Sequence, residues 1–90
     1  MRVIRSQRSQ QPLLRIHDAI YETDSDARRS LEYHRSRTTE EIVESLRPRP
    51  DNKEDLRVKV DGRVFQGNTR IKVLQERGYP VDGLPRDEIP

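Results

Sequence analysis

The passage from Leu56 to Gly78 constrains the fold more tightly than any other part of the chain. Leu56, Val58 and Val60 alternate with Arg57 and Lys59, the period of a half-buried strand. Asp61-Gly62 follows, a dipeptide suited to a two-residue hairpin turn because both of its positions need positive φ. In that register Val58 faces Phe65, and the second strand runs over 63–66. Gly67 ends this strand and a helix starts at once, with Asn68 as N-cap and Ile71 and Leu74 as the inward stripe. Gly78 is the C-cap residue, and Tyr79 folds back onto Leu74 in a Schellman-type closure. A hairpin followed directly by a helix places the chain in the α+β class.

Helix signals precede the hairpin. The cluster Thr23-Asp24-Ser25-Asp26 offers an N-cap with carboxylates near the positive helix end, and a helix over 25–36 follows. Its inward residues are Ala27, Leu31 and one of Tyr33 or His34. Thr38 and Glu41 have capping-box spacing and open a short helix carrying Ile42, Val43 and Leu46 on one face. Arg47-Pro48 closes it, since a residue before proline avoids the helical region. Residues 47–55 then read as an extended surface linker. Residues 13–22 fit either a helical face built from Leu13, Ile16 and Ile20 or a short strand over 14–16.

Composition limits the core. Leu, Ile, Val and Phe number 7 + 6 + 7 + 1 = 21 of 90 residues, while 38% of the chain is charged. A single small domain is the most that such a chain supports. The expected organisation is a flexible arm over 1–12, with a short edge strand near its start, and one domain over 13–90 with a loose C-terminal end. Within that end, an edge strand is expected near Val81. Eighteen basic residues against sixteen acidic leave a net charge of +2, short of a dedicated polyanion binder. The absence of cysteine excludes disulfides, zinc–thiolate sites and cysteine nucleophiles. His17 and His34 lack partners at ligand spacing, so no metal is expected. No long apolar run is present, which points to a soluble, cytoplasmic protein without membrane contact.

The junction Val64-Phe65-Gln66-Gly67-Asn68-Thr69-Arg70-Ile71 carries the chemistry. The first amides of a helix point outward, and the helix dipole adds positive charge there. Gly67 leaves room for an anion, and the Thr69 hydroxyl and Arg70 fork add donors. Gly67, Asn68, Thr69 and Arg70 are therefore the candidate phosphate- or nucleotide-binding residues.

Residues 38–78, 41 of the 90, resemble the ParB/sulfiredoxin-like superfamily through a helix, a hairpin and a G-x-x-R box that opens the next helix. Gln11-Pro12 is similar to the start of a Gln-Pro-Arg box of ParB nucleotide domains, with its arginine displaced to Arg15. The resemblance implies a minimal ParB-like domain with a phosphate at Gly67, Asn68, Thr69 and Arg70, and a nucleoside triphosphate such as CTP as candidate cofactor. Asn68 and Thr69 replace the Glu and Arg usual in the ParB box, and no Asn-x-x-Arg element or helix-turn-helix pattern follows. Sulfiredoxin carries its catalytic cysteine at the place of Asn68, so its reaction is excluded here.

The leading expectation is a small module binding a nucleotide or nucleic acid. The alternative is a non-catalytic interaction or regulatory protein, with a protein partner or a second copy of the chain and no ligand. Metal-dependent hydrolysis would have to draw on Asp61, Glu76, Asp82, Asp87 and Glu88, which show no ligand spacing.

Overall fold

The computed structural model describes residues 3–4, 11–15 and 20–90. Among the described residues, four helices and a mixed sheet form an α+β domain. In chain order the elements are β1 (Val3–Ile4), α1 (Ile20–Thr23), α2 (Ser25–Arg35) and α3 (Thr39–Leu46), then β2 (Arg57–Lys59), β3 (Val64–Gln66), α4 (Asn68–Glu76) and β4 (Asp87–Ile89). The sheet order is β1-β4-β2-β3, with β4 antiparallel to β1 and parallel to β2. Ile16, His17 and most of the arm expected over 1–12 lie outside the described residues.

Local capping sets the helix starts. Asp24 Oδ1 accepts from the amides of Asp26 and Ala27 at 2.8 and 3.2 Å, which begins α2. At α3 the Glu41 amide donates to Thr38 Oγ1, and the Thr38 amide donates to Glu41 Oε1, completing the capping box. The end of α4 is a full Schellman closure, in which Tyr79 N–H reaches Leu74 O and Gly78 N–H reaches Gln75 O. The end of α2 and the turn after it receive a foreign donor: Arg77 donates to Arg35 O and Arg37 O at 3.1 and 2.8 Å. That contact ties α2 to α4.

The hairpin departs from the expected register. Lys59 N–H bonds Arg63 O and Gly62 N–H bonds Lys59 O, so the loop holds three residues, Val60, Asp61 and Gly62. Gly62 closes it at a positive φ, 96°. The two-residue turn is thus replaced by a tight turn ending in a left-handed glycine. Val58 pairs with Val64 and Arg57 with Gln66, which makes Phe65 the extra residue of a bulge. Val64 faces the core, while Phe65 and Val60 face solvent. The expected inward strand positions therefore end at Val58.

Two further expectations are corrected. Residues 47–55 form a held loop: Asn52 Nδ2 donates to Ser45 O and Arg47 O, Leu56 N–H bonds Leu46 O, and Asp55 is buried. The C-terminal end is the second correction. No strand forms near Val81; instead β4 lies inside the sheet between β1 and β2. Arg86, 1% exposed, anchors the approach to it by donating to Gln11 O and Asp82 O at 3.0 and 2.6 Å. The Leu13 amide in turn donates to Asp82 Oδ1. The core lies between the sheet and the helices and is centred on Ile42, Leu46, Leu56, Val58, Ile71 and Leu74.

Candidate functional site

The strand-to-helix junction opens into a cleft of about 310 Å³ between α1, α2 and the start of α4. Gly67 precedes α4 at φ 111°, with no side-chain cap over the helix start. Asn68 is the first residue of α4 rather than its N-cap, because its side-chain amide turns back to donate to Val64 O at 2.8 Å. Tyr21 Oη and Thr69 Oγ1 lie 2.6 Å apart, so α1 is docked onto the junction. Ser30 and His34 of α2 line the opposite wall, and Phe65 stands at the rim.

Arg70 points inward. Nη1 donates to Ser45 O and Oγ, both at 3.1 Å, and Nη2 donates to Glu54 O at 2.6 Å. The side chain is 7% exposed, and the Glu54 and Asp55 carboxylates lie close enough to favour its charge. Three of its five N–H donors thus serve the end of α3 and the loop before β2. Gly67 has a packing role too: a Cβ there would stand 3.1 Å from Leu46 Cδ2 and 3.3 Å from Leu56 Cδ1. The four expected residues therefore do share one place. Their side chains do not converge on a ligand as direct donors; they brace the junction and leave the helix start facing the cleft.

A larger groove of about 830 Å³ continues between α2, α3 and the loop before β2, sharing His34, Glu54 and Arg70 with the cleft. Arg37 lies along it, with Nη1 3.5 Å from His34 Nδ1 and its guanidinium 5.6 Å from the Tyr33 ring. The His34 imidazole is held below its ordinary pKa, first by burial and then by Arg70 and Arg37, with Glu54 opposing. Burial likewise lowers the pKa of Arg70. Around His34 the local field is positive, with one nearby carboxylate against two guanidinium groups.

Tyr21, Ser30, Ser45, Glu54 and Arg37 were not singled out by the sequence, and His34 entered only as the alternative to Tyr33 on the inward face of α2. The one signal available was the i, i+4 spacing of Ser30 and His34, which puts both on the same face.

The hydrolytic candidates are dispersed. Asp61 binds Arg63 in the hairpin loop, Glu76 binds Arg35, and Asp82 accepts from Leu13. Asp87 and Glu88 are neighbours in β4. Among the described residues no group of three His, Cys, Asp or Glu could hold a metal ion. Nor is any described helix long and apolar enough to cross a membrane.

No protein-family model, curated protein or solved structure matches the chain.

Proposed function

We propose that this chain is a small non-catalytic module that binds a phosphate-bearing ligand, a nucleotide or nucleic acid, in the cleft at the start of α4. The observation that carries the reading is the buried Arg70 cation beneath an uncapped helix start, hydrogen-bonded to neutral oxygens, with the Glu54 and Asp55 carboxylates offsetting part of its charge. A guanidinium shielded from water projects its charge further than one at the surface. The helix start adds roughly half an elementary charge of the same sign. An anion seated on the Thr69 and Arg70 amides would meet both. Phe65, 61% exposed at the rim, offers a ring face for a base or sugar. The order α3, hairpin, Gly67–Arg70 and α4 supports the further reading of a minimal ParB/sulfiredoxin-like domain.

A thermal-shift series with nucleoside triphosphates, inorganic phosphate and short single-stranded DNA tests this. Ligand at tenfold excess over Kd adds roughly 1.4 kcal/mol, or about 6 °C in Tm for a domain of this size. Phe65→Glu places a negative charge at the rim without touching the core, and it should suppress the gain with every ligand, while Phe65→Gln should retain the gain with inorganic phosphate, which has no base or sugar to stack. A gain unchanged in Phe65→Glu would move the ligand elsewhere, and no gain with any ligand would end the reading.

One observation favours the interaction module instead. Leu14, Val60 and Phe65 are large apolar residues exposed on the segments around the hairpin. That reading predicts a concentration-dependent oligomer or a stable partner and no response to phosphate compounds.

A further inference from the structure

We propose that His34 is the proton-linked contact of this cleft, meeting the ligand's anionic group as an imidazolium, so that anion binding takes up a proton. The inference rests on the anion-site reading above and adds to it a residue and a regulation.

The geometry around the ring supplies the argument. A guanidinium can only donate, so the 3.5 Å approach of Arg37 Nη1 makes His34 Nδ1 an acceptor. An accepting Nδ1 leaves the ring proton on Nε2, and burial beside Arg70 and Arg37 favours that neutral form. On its own helix His34 meets the edge of Tyr33, with ring centroids 5.0 Å apart. From α4 comes the Arg70 guanidinium, and from the residue after it Arg77, which donates to the His34 carbonyl at 3.5 Å. The loop before β2 brings Glu54. Along the same groove α3 presents Glu40, Glu41 and Glu44. Glu41 is committed to the Thr38 amide, and Glu44 to Arg47 and Arg49.

Desolvation and two arginines disfavour a third positive charge at the ring. An anion seated on the first amides of α4, beside the imidazole, reverses that balance, because it offsets the charge of Arg70 and Arg37 and rewards the imidazolium. Protonation also turns Nδ1 into a donor. The Arg37 contact then ends, and that guanidinium is released toward the same anion. By reciprocity, whatever raises the His34 pKa on binding tightens binding as pH falls. Affinity gains about tenfold for each unit by which the pKa rises.

Sulfate is the suitable probe, since it stays dianionic through this range and adds no titration of its own. Amide and imidazole NMR shifts of the whole chain would be followed during sulfate titrations at about pH 8 and about pH 5.5. Affinity should rise about tenfold at the lower pH, and the His34 pKa should be higher in saturating sulfate than without it. His34→Gln, whatever its affinity at the higher pH, should show little gain between the higher pH and the lower, which separates this ring from the general loss of acidic charge. Equal native affinity at both pH values, with the Thr69 and Arg70 amides still shifting, would overturn the proton link and leave the anion site standing. An equal pH gain in His34→Gln would overturn it as well. No sulfate-dependent shift at either pH would overturn both.

Discussion

At Arg70 a planar fork meets acceptors from two directions, Ser45 at the end of α3 and Glu54 just before β2. Ser45 O is among the last carbonyls of α3, which have no partner within their own helix. Asn52 and Arg70 both donate to it. Removing the fork strands buried acceptors and a packed joint. Arg70→Ala should therefore lower stability by about 2–4 kcal/mol in a denaturant melt. Arg70→Lys should recover only part of this, because a point-like ammonium cannot span both acceptors. A loss under 0.5 kcal/mol would mean that the clamp is not formed. The residue types of the box were legible in the sequence, but its division of labour was not. Nothing local in Gly67-Asn68-Thr69-Arg70 reveals that the arginine reaches back across 25 residues, or that the glycine is wedged against Leu46 and Leu56.

Elements governed by short-range chemistry were readable: the Asp24 cap, the Thr38–Glu41 capping box, the Arg47 stop and the closure at Gly78 and Tyr79. Elements governed by tertiary context were not. The hairpin loop took three residues and expelled Phe65 as a bulge, a choice that Asp61-Gly62 leaves open. The position of β4 inside the sheet was hidden for another reason. Arg86 and Asp87 look like surface residues, yet both are buried where β4 joins its two neighbours in the sheet. If β4 is integral, ending the chain at Gly83 removes Leu84, Arg86 and an interior strand together. The truncated chain should lose its cooperative thermal transition by circular dichroism. A truncation that melts as the full chain does would show this segment to be a loose end after all.

For the molecule as a whole, charge linkage gives stability a direction with pH. Glu41, Asp61 and Glu76 have lowered pKa values, the first through the Thr38 amide, the second through the Arg63 amide and the third through the Arg35 side chain. Their contribution is present above the ordinary carboxylate range, about 4, and is lost as pH falls through the folded values. His34, also lowered, binds its proton less readily in the folded chain. Its contribution is present above about 6.5 and likewise shrinks as pH falls. Both slopes have the same sign, so denaturant midpoints should decline steadily from neutral to acid pH. A maximum near about pH 5 would contradict these assignments.

The central claim concerns one place in this fold, the start of α4 above Arg70. Its most direct test is an amide NMR titration of the whole chain with a nucleoside triphosphate. The account predicts saturable shifts concentrated at Gly67, Thr69, Arg70 and His34, with α3 and β4 little changed. Saturable shifts confined to other surfaces, or none at all, would contradict it.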